Sequence, residues 1–496
     1  MRTKTTMHKI ARPLIMAACA LACVGAHAAK IDIKSRDPAG KGFNDPTPVA
    51  PVGGNPGTTL GEQRWNVYKY VAKVWEDALQ SDVTITVSAG WEALTCTSSS
   101  AVLGSAGAYN LWHDAPGSQP QTWYPQALAN KLAGVNLSEG QPDDGSGYAN
   151  VDIKTQFNMN LGNPGCLDGS PFYLGLDGNA GTKVNFVETL LHELGHGLGF
   201  SVLSVQTSTG FRINAAGNAY VSSGGLPSVW EQFMYDNTAK KTWLNMTSAE
   251  RKASAINPLQ LAWNGPNVVA GATMLSHMPM IKLESPAPGG SRLIDYNASA
   301  FGPAINTPSL AGAVAAVATQ AGELGNACSP FNAANAAAVA GKVALMSRGG
   351  CTFAEKVKNA QNAGAVAAIL ANNVAGAFVP GGSDPTITIP SGGILQSDGD
   401  ALKAAITAAV PYGGRGNPGL VIASWSSDPA RIAGADSAGR PLLYTPNPLV
   451  SGSSVSHWDV TATPNLLMEP NINSDLGIEL MPPKDLTLPL LKDIGW

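Results

Sequence analysis

Leu191-His192-Glu193-Leu194-Gly195-His196-Gly197-Leu198-Gly199-Phe200 is the stretch of sequence on which the interpretation of this fold depends. Four residues make about one helical turn, so His192 and His196 present both imidazoles on one helix face, where a single Zn²⁺ can bind them. Glu193 lies next to them, in position to hold and deprotonate a zinc-bound water. The spacing therefore predicts a catalytic zinc helix.

The apolar residues around this stretch predict the secondary structure that carries it. They recur at helical spacing: Val187, Leu191, Leu194 and Leu198. This period predicts a helix with one buried face and with the two histidines beside the apolar stripe.

The first residues have the pattern of an export signal. A basic start is followed by an apolar run at 14–24 and by Ala26-His27-Ala28, a small-x-small cleavage site. The run is too short to span a bilayer, and nothing later in the sequence reaches transmembrane length. We expect residues 1–28 to be a signal peptide and the mature protein to be secreted, or periplasmic if it is carried no further.

The charge and composition of the chain indicate which classes of macromolecule it is not built to bind. The formal net charge is −4, only 13% of residues are charged, and no run of basic residues occurs. Because a nucleic-acid-binding surface needs clustered Lys and Arg, the composition argues against a nucleic-acid partner. The length is that of two or three domains, and the sequence leaves the oligomeric state open.

The cysteines beyond residue 28 are Cys96, Cys166, Cys328 and Cys351. They allow three pairings in an oxidising compartment. The simplest arrangement joins Cys96 to Cys166 upstream of the zinc helix and Cys328 to Cys351 far downstream. None belongs to a Cys-x-x-Cys pair, so structural zinc or redox chemistry is not indicated.

Residues 61–285 predict the first part of an α+β catalytic domain. Residues 62–79 have helical periodicity, whereas 82–88 and 151–157 alternate as strands do. Strand 151–157 is the expected sheet edge, to which an extended substrate peptide could pair. The preceding residues 29–60, rich in Pro and Gly, predict an extended lead-in.

The character of the sequence changes at the Pro/Gly-rich stretch 285–290. The patterns that follow predict a strand at 341–346, a helix at 353–363, a strand at 365–371 and a helix at 398–406. This alternation indicates an α/β domain over residues 286–436, inserted before a last catalytic segment at 437–496. No Gly-x-Gly-x-x-Gly opens a helix after a strand here, so nucleotide binding is not indicated.

The third zinc ligand is not fixed by the helix motif. A catalytic zinc usually has three protein ligands and keeps a fourth position for water. The remaining imidazoles beyond residue 28 are His113, His277 and His457, and Glu231 is a carboxylate option in a thermolysin-like arrangement. The glycines that close the motif favour an early helix stop and a turn instead. His113 and His277 are expected to be surface or packing residues.

Residues 192–200 resemble the start of the metzincin motif, His-Glu-x-x-His-x-x-Gly-x-x-His, through Gly199, but Val202 stands where that motif has its third His. Leishmanolysin-type metzincins are similar in this respect, because their third His arrives after an insertion and precedes a methionine-bearing turn. Ser456-His457-Trp458-Asp459 and Asn465-Leu466-Leu467-Met468 look like that later section. The resemblance implies His457 as third ligand and Met468 as the Met-turn residue, with an ordinary core methionine as the alternative.

Residues 286–436 resemble a protease-associated (PA) domain. The resemblance is carried by Cys328, Gly341-Lys-Val-Ala-Leu-Met-Ser-Arg-Gly-Gly-Cys-Thr-Phe353, Lys356, Ala363-Gly364-Ala365 and Ile389-Pro390. Such domains occur as insertions in exported peptidases, and they are taken to bind or gate substrate rather than to catalyse. Arg348 and Lys356 therefore receive no chemical role.

These patterns predict an exported zinc metallopeptidase, specifically a zinc-dependent endopeptidase acting on proteins or peptides. Its fold would be an α+β, metzincin-like catalytic domain split by an inserted α/β PA domain. One catalytic Zn²⁺ would be bound by His192, His196 and His457, with Glu193 as the base. Structural calcium is chemically possible at the turns Asp143-Asp144-Gly145 and Asp177-Gly178, without further support.

Two rival functions stay open at this stage. A non-catalytic surface-binding protein could keep zinc for folding, but it would not need Glu193. A two-zinc aminopeptidase can also carry a PA domain, but its site needs bridging carboxylates and additional His ligands, and His-Glu-x-x-His is not its signature.

Overall fold

The structure is a computed structural model that describes residues 27–140, 150–285, 291–303, 311–320, 322–374, 376–408, 420–473 and 475–496. Residues 1–26 of the expected signal peptide and the Asp143-Asp144-Gly145 turn lie outside these ranges. No helix among the described residues combines the length and apolar character needed to cross a membrane.

The helices of the described residues begin as a rule beside a capping side chain, although those starting at Gln126, Pro266 and Thr487 have none. They are α1 (Leu60–Ala78), α2 (Gln126–Ala133), α3 (Phe186–Leu198), α4 (Ser248–Ser254), α5 (Pro266–Gly271), α6 (Ala333–Val339), α7 (Phe353–Asn362), α8 (Gln396–Ala408) and α9 (Thr487–Ile494). The start of α1 illustrates the rule: the Thr59 side chain accepts a hydrogen bond from the Glu62 N–H and the Glu62 carboxylate accepts one from the Thr59 N–H.

Most strands of the part expected from the sequence to be catalytic, hereafter the catalytic part, are short. They are β1 (Ile31–Ser35), β2 (Ile85–Glu92), β3 (Cys96–Thr97), β4 (Ser100–Ala101), β5 (Gly104–Ala108), β6 (Leu111–Trp112), β7 (Tyr124–Pro125), β8 (Ile153–Asn158), β9 (Phe172–Tyr173), β10 (Val184–Asn185), β11 (Val205–Gln206), β12 (Phe211–Ile213), β13 (Tyr220–Val221), β14 (Met234–Asp236), β15 (Lys241–Thr242) and β16 (Leu261–Trp263).

The inserted part has its own strands. They are β17 (His277–Glu284), β18 (Ser291–Asp295), β19 (Asn297–Ala298), β20 (Ala311–Ala316), β21 (Val343–Ser347), β22 (Ala367–Ala371), β23 (Ser391–Ile394) and β24 (Ile422–Ile432).

The sheet beside the zinc helix has the order β1-β2-β8-β5. β8 pairs in parallel with β2 and antiparallel with β5, so the strand expected at the edge is interior and β5 is the edge. β1 pairs in parallel with β2, so the expected lead-in at 29–60 contributes a strand to this sheet. The prediction that strand 151–157 forms the edge is wrong, because alternation indicates a strand without indicating its neighbours.

One hydrophobic core unites the two catalytic segments. It contains buried residues between Ala29 and Leu275 and then between Leu443 and Ile494. Large aromatic side chains such as Trp75, Phe157 and Trp263 are almost fully buried in it. The chain after the insertion therefore completes the core begun before it.

The inserted part is a doubly wound α/β sheet of order β18-β17-β24-β20-β21-β22-β23-β19. Successive residues of β22 point into two different cores, as the side-chain period of a strand requires. Ile369 packs with Leu402 of α8, and Leu370 packs with Val339 of α6 and Val357 of α7.

The insertion begins earlier than the sequence suggested. β17 and β24 are antiparallel neighbours, with His277 opposite Ile432 and Glu284 opposite Ile422. The chain therefore enters and leaves the inserted sheet side by side. β17 belongs to this sheet although the sequence placed it in the catalytic segment 61–285.

Two disulfides lie one in each part. Cys96 is bonded to Cys166, and Cys328 is bonded to Cys351. These are the pairs named from the sequence, and each ties a loop within one hydrophobic unit.

Because β17 and β24 lie side by side, the inserted part can be removed and the chain ends rejoined over a short distance. Replacing residues 278–431 by a two-residue Asn-Gly turn should leave a catalytic part that unfolds cooperatively, because opposed residues of antiparallel strands are only about 5 Å apart. The excised segment 278–431, expressed alone, should also unfold cooperatively, because it has its own cores. Calorimetry of both products checks this, and a non-cooperative catalytic part would contradict it.

Candidate active site

Helix α3 carries the His-Glu-x-x-His motif through the centre of the catalytic part. The Asn185 side chain accepts a hydrogen bond from the Val187 N–H at 3.1 Å and thereby caps the first turn. All but one of the residues of α3 are buried, rather than one face alone as the apolar period predicted. The histidine face is covered by the segment around His457 and Met468, which follows the insertion.

Three imidazoles converge beside this helix. Nε2 of His196 lies 3.1 Å from Nε2 of His192 and 3.2 Å from Nε2 of His457, and the third side of the triangle measures 3.3 Å. Among the described residues, these three form the one group of at least three His, Cys, Asp or Glu side chains compact enough to hold a metal ion.

The other ring nitrogens fix the tautomers of this triangle. Nδ1 of His192, His196 and His457 lies 2.7, 2.6 and 2.8 Å from the carbonyl oxygens of Leu467, Phe200 and Ser453. A carbonyl oxygen only accepts, so each Nδ1 carries the proton and each Nε2 is left with a lone pair. The three Nε2 atoms therefore point lone pairs at one another, and none of them can donate a hydrogen bond to the others. A cation bound between them would accept all three lone pairs.

The environment keeps these imidazoles neutral. Burial lowers the pKa of His192 to about 4 and that of His457 to about 3, and burial also lowers the pKa of His196 well below its usual range. Neutral imidazole is the form that binds metal. Nitrogens about 2.0–2.1 Å from a tetrahedral zinc stand roughly 3.3 Å apart, so the triangle fits Zn²⁺.

Glu193, next to His192 on α3, is the acidic residue of the motif. Its side chain is buried, and burial raises the pKa of this carboxyl to about 8 although the Ala106 N–H donates a hydrogen bond to it. A raised pKa means that the ionised carboxylate binds a proton more strongly than usual, which suits a group that accepts a proton and later returns it.

Met468 lies directly under the zinc helix. A Cβ built on Gly195 would stand 2.8 Å from Sδ of Met468, so a larger residue at this position would displace the Met468 side chain. The Leu467 carbonyl that precedes Met468 is the acceptor for His192, and the Trp458 N–H donates to the Met468 carbonyl at 2.9 Å. The turn thus connects two of the three imidazoles.

The edge strand β5 faces the same site. Ala106, whose N–H reaches Glu193, lies in this strand, and α3 packs against the strand. In an antiparallel ladder, alternate residues direct their main-chain groups away from the partner strand, and Ala106 is one of these. The sequence did not reveal β5, because Gly104-Ser-Ala-Gly-Ala108 has no apolar alternation.

The remaining candidates lie elsewhere. Glu231, the alternative third ligand, is fully buried, ion-paired with Arg212 at 2.6 Å, and accepts hydrogen bonds from Ser204 and Ser228. His113 contacts Asp114 and the Ala215 carbonyl.

Two further sequence candidates are surface residues. His277 is exposed at the start of β17. The carboxylate of Asp177, proposed for calcium, accepts hydrogen bonds from Tyr173 and Asn179.

A family model describes part of the inserted segment. The model for the PA domain matches residues 310–402. A PA domain is therefore present in the inserted unit. This match confirms the PA part of the sequence resemblance, and it leaves the catalytic segments without a family assignment.

Two curated proteins share short stretches with the chain. Vacuolar-sorting receptor 5 of Arabidopsis thaliana is 38% identical over 95 residues, which are 17% of this chain and 15% of that protein. Aminopeptidase YwaD of Bacillus subtilis (strain 168) is 47% identical over 64 residues, 12% of this chain and 14% of that protein. The chain thus spans a small fraction of either relative.

Solved structures align only locally. The zinc aminopeptidase BSAP from Bacillus subtilis aligns at 22% identity and a TM-score of 0.20, covering 33% of this chain and 37% of that one. The aminopeptidase from Aneurinibacillus sp. strain AM-1 aligns at 22% identity and a TM-score of 0.21, covering 42% of each chain. TM-scores of 0.20 and 0.21 do not establish a common overall fold.

Proposed function

We propose that this protein is an exported zinc-dependent endopeptidase whose PA domain is inserted into the catalytic domain. The observation that carries the proposal is the triangle of unprotonated Nε2 atoms beside a buried glutamate on one helix. A zinc site that served folding alone would not need Glu193.

Each residue of the site has a distinct role in the proposed reaction. His192, His196 and His457 hold the metal, and their Nδ1–carbonyl bonds keep the rings oriented. When bound, zinc supplies a Lewis acid that polarises the scissile carbonyl and makes a water molecule more acidic. Glu193 takes the proton of the attacking water and returns it to the leaving amine.

The substrate is expected to pair with β5. This edge strand, Gly104–Ala108, lies against α3, and the Ala106 N–H already reaches Glu193. An extended peptide added to a sheet edge is held through its main chain, so binding tolerates many side chains. Such binding suits an endopeptidase, because it does not require a free terminus.

The proposed family is the leishmanolysin-type metzincins. His457 follows His196 by 261 residues, and the PA domain lies between them. Met468 under Gly195 is consistent with the Met-turn role. The expected role of the PA domain is to bind or gate large substrates.

The two alternative kinds of zinc peptidase require other metal ligands. A thermolysin-like site would use Glu231, but that carboxylate is engaged by Arg212. A two-zinc aminopeptidase needs bridging carboxylates, and the metal-sized group found in the described part of the chain contains histidines only. The two disulfides support an oxidising compartment outside the cytosol.

Two substrates distinguish an endopeptidase from an aminopeptidase. We expect cleavage of an internally quenched peptide blocked at both ends, and we expect an aminoacyl anilide to remain intact. Removing the metal with 1,10-phenanthroline should abolish cleavage, and Zn²⁺ should restore it. Hydrolysis of the anilide with the blocked peptide untouched would contradict the endopeptidase assignment and favour an aminopeptidase.

A further inference from the structure

Three consecutive carbonyls close the zinc helix, and each accepts a hydrogen bond from an aromatic ring N–H. The Leu198 carbonyl accepts from Nε1 of Trp496 at 2.8 Å, and the Gly199 carbonyl accepts from Nε1 of Trp230 at 2.6 Å. The Phe200 carbonyl accepts from Nδ1 of His196 at 2.6 Å. The third of these bonds orients an imidazole of the proposed zinc site.

The backbone at this point cannot continue the helix. Gly199 has a φ of +120°, and its N–H bonds back to the carbonyls of Gly195 and His196. The last carbonyls of a helix have no partner within the helix, so other donors supply their hydrogen bonds, and here these donors are the two indoles and the Ser201 N–H. The Phe200 N–H bonds to the Gly195 carbonyl at 3.0 Å, and the two indoles add two further hydrogen bonds to the carbonyls just before Phe200.

Trp230 is held rigidly. Its side chain is 1% exposed and packs edge-to-face against Phe200 at 5.3 Å and against Trp263 at 4.8 Å between ring centroids. Its indole N–H therefore has little freedom to follow a displaced Gly199 carbonyl.

Trp496 is anchored through the helix before it. Asp493 of α9 accepts a hydrogen bond from Nε1 of Trp263 at 2.9 Å and from the Asn267 N–H at 2.8 Å. Lys131 of α2 donates to the Gly495 carbonyl at 2.6 Å. Trp263 thus supports both indoles, one through ring packing and the other through Asp493.

We infer that Trp230 and Trp496 are positioning residues for the metal: by holding the Leu198 and Gly199 carbonyls, they fix the acceptor that orients His196. This inference rests on the metal site of the proposed function, but not on the reaction that the site performs. Loss of an outer partner of a metal ligand typically lowers metal affinity about 10–100-fold.

The test replaces each indole by a ring without the N–H. In the full chain, Trp496→Phe and Trp230→Phe should each raise the zinc dissociation constant about tenfold, measured by competition with a chromophoric chelator. The d–d absorption of the Co²⁺-substituted variants should also shift, because the position of His196 changes. Trp243→Phe is the matched control: Trp243 is fully buried and donates to Ser254 at 2.9 Å, away from the histidines. Its zinc affinity and Co²⁺ spectrum should equal those of the wild type.

The outcomes are distinguishable. Wild-type zinc affinity in both indole variants would overturn this inference and leave the proposed function intact. Absence of zinc from the wild-type protein would overturn both. If both indole variants fail to fold while Trp243→Phe folds, the indoles support the whole domain rather than His196, and the inference also fails. If one variant alone folds, its zinc affinity decides.

Discussion

Glu193→Gln is expected to retain about one zinc per chain and to lose nearly all peptide hydrolysis. The three imidazoles are untouched, and the amide keeps an oxygen to accept the hydrogen bond from the Ala106 N–H. A carboxamide cannot take the proton of the attacking water. General acid–base groups contribute about 10²–10⁴-fold, so kcat/KM should fall by that factor.

The matched control lies on the same helix. Glu188 is half-buried in the first turn of α3 and is not part of the histidine group. Glu188→Gln should therefore keep both zinc and activity. Metal analysis and the quenched-peptide assay on the two variants give the answer. Activity of Glu193→Gln close to that of the wild type would rule out Glu193 as the base.

The local part of the site could be derived from the sequence because it depends on helix geometry alone. His192, Glu193 and His196 are fixed relative to one another by one turn of α3. His457 could not be placed in this way, since no spacing rule connects residues on either side of an inserted domain. Only a resemblance to a known family indicated it.

The errors of sequence interpretation have a common physical origin. Alternation in 151–157 predicts a strand, but β5, which precedes it in the chain, pairs outside it and forms the edge. The Pro/Gly-rich stretch 285–290 stands in the sequence between β17 and β18, and these two strands are antiparallel neighbours in one sheet, so the change in composition does not coincide with the start of that sheet. Local patterns report local geometry, whereas strand order and domain limits depend on distant pairing.

The indole donors were missed for the same reason. Asp493-Ile494-Gly495-Trp496 is visible in the sequence, but nothing in it indicates a contact with Leu198. In the sequence, Trp230 has the pattern of an ordinary core tryptophan. The structure alone shows that its indole N–H donates to the Gly199 carbonyl. Both contacts depend on how α9 and the 229–232 turn pack around α3.

His457→Ala is expected to remove both zinc and activity. Zinc would keep two imidazoles instead of three, and loss of a direct ligand should exceed the roughly 10–100-fold that loss of an outer partner costs in affinity. The stabilisation that zinc gives the folded state should disappear in parallel, because it depends on the ratio of free zinc to its dissociation constant. Zinc content after dialysis and the rise in Tm on adding Zn²⁺ measure these two effects.

Three variants make the assignment of His457 specific. His113→Ala and His277→Ala remove imidazoles that lie outside the group, so zinc and activity should persist in both. Glu231→Gln keeps the volume of the rival ligand and an oxygen for the donors Ser204 and Ser228, while it removes the charge opposite Arg212. It should therefore lower stability without lowering zinc content. If Glu231→Gln lost the metal and His457→Ala kept it, the third ligand would be Glu231 and the site would be thermolysin-like.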